Sequence, residues 1–135
     1  MALPAEIRAG VSGSAELLVG EEHTAPRVGS GKVQVLATPV MINVIEAAAL
    51  ETVERFLPAG YQSLGTVLNV RHLAATPVGM RIRATAKVAK VDGRTIFFTV
   101  AVFDDKELIG DGTHERVVVN VAKFDERVQR KLKTK

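Results

Sequence analysis

The stretch "TPVMINVIEAAALETVERFL", residues 38–57, decides the fold, because it predicts one long helix in a chain otherwise patterned as strands. Thr38 is a favourable N-cap and Pro39 suits the first helical position, so the helix is expected to begin at Pro39. The sequence "PAG" at 58–60 ends it near Leu57. One largely apolar stripe has spacings of three and four, at Met41, Val44, Ile45, Ala48, Thr52 and Phe56.

A second stripe lies about a third of a turn around the helix, at Ile42, Glu46, Ala49 and Val53. A helix that is apolar on two faces must be buried on two sides. We expect a sheet to cover one side and a second subunit to cover the other.

Segments on both sides of this helix have the period of two that is typical of strands. Four consecutive candidate strands follow the helix, at residues 63–75, 80–91, 94–104 and 108–121. Asp92-Gly93 is a strong hairpin signal between the second and third of them. Upstream, residues 15–20 predict a strand, and residues 29–39 include a short strand-like piece. One helix and about five antiparallel strands predict a single α+β domain over residues 1–135, with its core at about 10–122.

The charge distribution argues against a nucleic-acid partner. The C-terminal tail, residues 123–135, holds six basic and two acidic residues, whereas the whole chain carries only +3, so the rest of the chain is nearly neutral. Aromatic residues make up 4% of the chain and tryptophan is absent, which leaves little for stacking on bases. We expect the basic tail to be a solvated extension.

Several classes of protein are excluded or disfavoured by what the sequence lacks. Without cysteine there is no disulfide framework, thiolate zinc site or cysteine nucleophile. The chain has neither a run of 18 apolar residues nor a signal peptide, so we expect a cytoplasmic protein with no membrane partner. His23, His72 and His114 lack metal-ligand spacing, and no metal site is predicted.

Three polar residues occupy positions that the patterns assign to the interior. Glu46 interrupts an apolar helical stripe, either as an edge residue that reaches solvent or an arginine, or as a catalytic carboxylate. His72 lies among apolar neighbours on a strand, as a core residue or as an acid or base. Thr38 is either only a helix cap or also a hydroxyl that takes part in chemistry. Thr38 and Glu46 are about two turns, roughly 12 Å, apart along the helix axis.

These residues belong to longer motifs that resemble a known family. The segments "VLATPVMINVIEAAAL" (35–50), "SLGTVLNVRHLAATPVGM" (63–80) and "VDGRTIFFTVAVFDDKELIGDGTHERVVVN" (91–120) resemble the fluoroacetyl-CoA thioesterase-like family of hotdog-fold proteins. The resemblance covers about residues 10–125. It implies a hotdog fold, in which an antiparallel sheet of about five strands wraps a long central helix, and it implies that two chains pair as a dimer.

The resemblance also implies the reaction and its residues. The family hydrolyses an acyl-CoA thioester to a free acid and CoA at sites on a dimer interface, and CoA enters only as part of the substrate. Thr38, Glu46 and His72 match the family's catalytic trio. Gly65 matches the glycine whose backbone N–H binds the thioester oxygen. Arg116 is expected to contact CoA phosphates, to brace the site, or to form only a structural salt bridge.

The acyl group and the class of function remain open at this level. The fluoroacetyl specialist of the family has phenylalanines in the loop before its helix, whereas "TAPRVGSGKVQV", residues 24–35, has no aromatic residue. We therefore expect another short, branched or aryl acyl group. The alternative function is a hotdog module that binds acyl-CoA without turnover, as a sensor or carrier. A hotdog hydratase is a third alternative, but the Asp/His-type pair it needs is not found. Whether dimers pair into tetramers is not indicated.

Overall fold

The structure is a computed structural model that describes residues 2–133. The elements run in the order β1 Ser12–Leu18, α1 Ala25–Val28, α2 Thr38–Val53, β2 Tyr61–His72, β3 Arg81–Asp92, β4 Thr95–Phe103, β5 Leu108–Asn120 and α3 Val121–Gln129. Short 3-10 turns lie at Glu21–His23, Glu54–Phe56 and Arg130–Leu132. The predicted order of one long helix followed by four strands is confirmed.

All five strands form one antiparallel sheet in the order β1-β3-β4-β5-β2. β3, β4 and β5 are consecutive hairpin neighbours, and the predicted turn at Asp92-Gly93 joins the first two. β1 and β2 are the two edges of the sheet. β2 pairs with β5 along its length and has a register shift between Gly65 and Val67. The prediction of an α+β domain with about five antiparallel strands is therefore confirmed.

The core lies between α2 and one face of the sheet. α2 buries seven residues, which are Met41, Val44, Ile45, Ala48, Ala49, Thr52 and Val53. They pack on alternate residues of β3 and β4, namely Ile82, Ala84, Ala86, Val88, Ile96, Phe98, Val100 and Val102. The period of 3.6 on the helix and of two on the strands therefore produces a single apolar layer. Of the predicted first stripe, only Phe56 is not fully buried.

α2 approaches β1 closely enough to require a glycine. A Cβ atom added at Gly13 would lie 2.6 Å from Thr52 Oγ1 and 2.9 Å from the Thr52 backbone nitrogen. Thr52 cannot withdraw easily, because its hydroxyl donates a hydrogen bond to the Ala48 carbonyl at 2.7 Å. Gly13 therefore sets how deeply the helix lies on the sheet.

One segment differs from the sequence-based expectations, and the C-terminal tail has a helix that the sequence analysis did not predict. The piece at 29–39 that was expected to include a short strand forms only one isolated bridge, Thr24 to Leu36, and the preceding residues form the short helix α1. The tail from residue 123 begins within α3, which continues directly from β5 and has no buried residue. The Asn120 side chain caps α3 by accepting a hydrogen bond from the Lys123 backbone N–H at 3.1 Å. No helix within residues 2–133 is long and apolar enough to span a membrane.

We expect Gly13→Ala to lower the free energy of unfolding by about 1–3 kcal/mol, the usual cost of overpacking a close contact. Urea unfolding at one fixed protein concentration measures it. Gly31→Ala is the matched control, since its added Cβ would make an ordinary 3.4 Å contact with Ala25. Equal unfolding midpoints for the two variants would show that the contact at Gly13 does not limit the packing of α2.

Candidate functional site

The N-terminus of α2 and the end of β2 bring Thr38 and His72 together. Thr38 Oγ1 and His72 Nδ1 lie 2.7 Å apart and share a hydrogen bond. Thr38 is the first residue of α2, and the N-cap is Ala37, which makes no side-chain cap. The prediction that Thr38 caps the helix is therefore wrong, because its hydroxyl binds the imidazole instead. The pairing of residues 34 positions apart links the helix to the sheet edge.

The second ring nitrogen of His72 takes no part in the hydrogen bond to Thr38. Nε2 is buried and has no hydrogen-bond partner within residues 2–133. Burial lowers the pKa of His72 below its ordinary value of 6.5, and a contact with the Ala74 backbone opposes this shift only in part. The ring is therefore neutral near pH 7. If Nδ1–H donates to Thr38, Nε2 can accept a proton, which is what a general base requires.

A cavity of about 300 Å³ adjoins this pair. Its lining includes Thr38, His72, the loop before α2 and the residues after β2, and the loop contributes Ser30, Gly31, Lys32, Val33, Val35 and Leu36. No Phe, Tyr or Trp is among the lining residues of the described chain. A pocket with a hydroxyl–imidazole pair on its wall can bind a small acyl group beside a proton-transfer residue.

Glu46 lies in a second cluster, farther along α2. Its Oε2 accepts a hydrogen bond from Arg116 Nη1 at 3.2 Å. The carboxylate lies against the β2 backbone, since a Cβ added at Gly65 would be 2.5 Å from Oε2. The Glu46 side chain is 34% exposed and the Arg116 side chain only 6%. Glu46 therefore has the arginine partner that one sequence-based alternative required, and one side of it is open to solvent or ligand.

Each of the three guanidinium nitrogens of Arg116 has at least one protein partner. Its Nε donates to Ser63 Oγ at 2.8 Å, Nη2 donates to the Ser63 carbonyl at 3.1 Å, and Nη1 is shared by Glu46 and His114 Nε2. Ser63 is itself held by Glu54, which accepts from the Ser63 backbone N–H at 2.9 Å and from its hydroxyl. Of the roles expected for Arg116, these contacts and the salt bridge to Glu46 favour a structural or bracing role over contact with a phosphate.

His114 is the fully buried member of this cluster. Its ring stacks on Phe98, with centroids 5.8 Å apart, and Nδ1 lies 2.7 Å from the Val67 carbonyl. Burial is the main cause that lowers the pKa of His114, and the Arg116 cation lowers it further. The Val67 carbonyl, Glu46 and Glu115 oppose the shift. His114 is therefore neutral near pH 7.

Within one chain, the structure brings together two of the three predicted catalytic side chains. Thr38 contacts His72, whereas Glu46 contacts Arg116 about two turns farther along α2. Sequence reasoning missed Ser63, Glu54 and His114. The signal for two of them was present, because polar residues that alternate on an inward strand face need partners. His114 and Arg116 show this pattern on β5, where Arg116 pairs with Gly65 of β2 and also contacts Ser63.

The outer edge of β2 is the other feature of this region. β2 pairs only with β5, and it exposes the apolar side chains of Leu64, Val67 and Leu68. An unpaired edge with exposed apolar residues is a surface that usually pairs with another strand. Within residues 2–133, no cluster of three or more His, Cys, Asp or Glu side chains could hold a metal ion.

The two neutral histidines predict how stability depends on pH. A histidine whose folded pKa lies below its unfolded value does not lower the free energy of unfolding above about pH 6.5, because it is neutral in both states there. As pH falls below about 6.5, the unfolded chain binds protons that the folded chain does not, so stability is lost.

We therefore expect the free energy of unfolding to fall between about pH 7.5 and 5.5, with a shallower fall in His72→Gln and His114→Gln. Urea titrations of the three proteins at the two pH values, at one protein concentration, measure the slopes. The same slope in all three proteins would contradict the pKa directions of both rings.

A family model and a related protein of known function both match this chain and indicate the same family. Residues 19–122 match the fluoroacetyl-CoA-specific thioesterase family. A fluoroacetyl-CoA thioesterase from Streptantibioticus cattleyicolor is 39% identical over 98 residues, which cover 73% of this chain and 70% of that protein.

Solved structures agree with this sequence match. A structure of the fluoroacetyl-CoA thioesterase is similar with a TM-score of 0.87 and 32% identity, covering 92% of this chain and 96% of that one. A thioesterase superfamily member from Thermus thermophilus is similar with a TM-score of 0.85 and 31% identity, covering 92% of each chain. A hot-dog-like protein from Thermanaerovibrio acidaminovorans, 22% identical with a TM-score of 0.88 and covering 96% of each chain, shares the fold. The predicted hotdog fold is confirmed.

Proposed function

This chain belongs to the fluoroacetyl-CoA-specific thioesterase family, and we propose that it hydrolyses an acyl-CoA thioester to a free acid and CoA. The observation that carries the proposal is the Thr38–His72 pair beside an open pocket, with a buried imidazole nitrogen that has no hydrogen-bond partner within residues 2–133. Thioester hydrolysis needs a group that moves a proton between water and the leaving sulfur, and a neutral imidazole meets that need near pH 7.

The complete site would be shared by two chains. Thr38 and His72 lie at one end of β2, and Glu46 lies over Gly65, seven residues earlier in the same strand. If the free edge of β2 pairs antiparallel with its copy about an axis near Leu68–Asn69, position 65 of one chain falls opposite position 72 of the other. Glu46 of one subunit would then face the Thr38–His72 pair of the partner subunit. The exposed apolar residues on β2 support this pairing.

In this arrangement each residue has a defined role. The backbone N–H of Gly65 binds the thioester oxygen, as the family resemblance suggests. Glu46 activates a water molecule, or attacks the carbonyl carbon itself to give a mixed anhydride that water then hydrolyses to the free acid. As the carbon–sulfur bond breaks, the CoA sulfur leaves and takes up a proton, and His72 carries to it the proton that the attacking water loses. Thr38 orients the imidazole through the 2.7 Å hydrogen bond, rather than orienting the carboxylate.

The pocket supports a short, branched or aryl acyl group. Its loop wall contributes Val33, Val35 and Leu36, and none of the lining residues from 2–133 is Phe, Tyr or Trp. Aliphatic side chains leave space that aromatic side chains at the same positions would fill. We therefore expect the pocket to select only weakly for the smallest acyl groups over larger ones.

Thiol release from a panel of acyl-CoAs of increasing size tests the activity. We expect Glu46→Gln and His72→Ala each to lower kcat by about two to four orders of magnitude, because each removes an acid–base or nucleophilic group. Glu51→Gln, an exposed residue on the same helix, is the matched control and should retain normal turnover. Binding of acyl-CoA without thiol release by the wild-type protein would indicate a binding module instead.

Mixed dimers test whether the site is shared. When Glu46→Gln and His72→Ala chains are co-expressed with different tags, each mixed dimer would hold one intact site if Glu46 and His72 come from different subunits. Unselected mixtures should then recover about a quarter of wild-type activity, and purified mixed dimers about half. Mixed dimers that stay as inactive as either parent would place both residues of a site in one chain.

A further inference from the structure

His114 is buried at the centre of the polar cluster, yet the trio of Thr38, Glu46 and His72 leaves it without a role. It is 0% exposed, and both of its ring nitrogens are in use. Nδ1 lies 2.7 Å from the Val67 carbonyl, and Nε2 lies 3.2 Å from Arg116 Nη1. A polar ring that is buried with both nitrogens paired is a constrained group, so its contacts indicate what it does.

These two contacts fix the tautomer of His114. The Val67 carbonyl can only accept, so Nδ1 must carry the hydrogen and donate it. Arg116 can only donate, so Nε2 must be the acceptor. A charged imidazolium would direct an N–H at the Arg116 cation, and this arrangement is excluded by both charge and geometry. The surroundings therefore select one neutral form, with its proton on Nδ1.

The acceptor nitrogen of His114 determines where Arg116 points. Nη1 has two hydrogens, and it lies 3.2 Å from His114 Nε2 and 3.2 Å from Glu46 Oε2. Because the guanidinium is planar and rigid, a hydrogen directed at Nε2 fixes the direction of the other one. The other two nitrogens of Arg116, Nε and Nη2, each donate a hydrogen bond to Ser63. The contacts with His114 and Ser63 together therefore set the direction of the Nη1 hydrogen that Glu46 accepts.

From these contacts we infer that His114 is a positioning residue, which acts through Arg116 to hold the Glu46 carboxylate against the β2 backbone at Gly65. The charged groups around the ring are Arg116, Glu46 and Glu115. The carbonyl that His114 binds belongs to Val67, at the register shift of the edge strand. His114 thereby ties the shape of β2 to the direction of the catalytic carboxylate. This inference rests on the proposed thioesterase activity.

Two substitutions separate positioning from simple packing. The amide oxygen of glutamine can take the place of Nε2, so His114→Gln keeps an acceptor for Arg116 and loses the bond to Val67. The amide nitrogen of asparagine can take the place of Nδ1, so His114→Asn keeps the donor to Val67 and leaves Arg116 without its acceptor. Positioning predicts that glutamine rescues turnover and asparagine does not, whereas a role confined to the β2 bulge predicts the reverse.

We expect His114→Asn to lower kcat by about 10- to 100-fold with KM little changed, since misplacing a reacting group by about 1 Å can cost about 100-fold. We expect His114→Gln to keep kcat within about threefold of wild type, because the aim of Arg116 is preserved. His23→Gln, a change of the same kind at a histidine outside the cluster, should leave kcat unaltered.

The outcomes separate this inference from the proposed function. If wild-type protein releases no thiol from any acyl-CoA, the activity fails and the role of His114 fails with it. If wild type is active but asparagine equals or exceeds glutamine, only the positioning role is overturned. Should neither variant fold, nitrogen NMR of the wild-type imidazoles at pH 7 decides. A neutral His114 ring with its proton on Nδ1 supports the inference, and a proton on Nε2 ends it.

Discussion

The close packing of α2 over β1 and β3 is the constraint on which the rest of the structure depends. Apolar side chains on one face of α2 fill the space above the sheet. Because residue 13 of β1 is a glycine, Thr52 of α2 can lie directly against the β1 backbone. The helix therefore cannot shift without opening the core. Its other flank faces β2 across a wider gap, and there the contacts are made by polar side chains instead.

That gap is where the chemistry is expected. At one end of the gap the Thr38 hydroxyl forms a hydrogen bond with His72. Near its middle the Glu46 carboxylate lies against the backbone at Gly65. A side chain at position 65 would meet the carboxylate, so glycine is needed there for contact rather than for backbone conformation. The position of both groups follows from the helix, whose depth is set on the opposite flank by apolar packing.

A buried cation organises the polar side of the gap. Arg116 is 5% exposed, and a guanidinium taken from water needs nearly all of its donors satisfied. Ser63, Glu46 and His114 supply the acceptors, and Glu54 holds Ser63 in turn. Burial, and to a smaller extent repulsion by the Arg116 cation, lowers the pKa of His114 and keeps the ring neutral. Stability and site geometry thus depend on one set of hydrogen bonds, so a change to one partner is expected to affect both.

The sequence by itself determined the helix, the strands and their faces, because helical and strand periods are local and are recorded in neighbouring residues. It also supplied the family, through motifs around Thr38, Glu46 and His72. Only the tertiary structure decided which polar groups meet. The Thr38 hydroxyl bonds to His72 instead of capping the helix, and the loop before α2 forms no strand. Arg116 contacts Ser63 and His114 as well as Glu46. Those pairings join residues far apart in the chain, and their geometry depends on helix depth and strand register, which no local pattern contains.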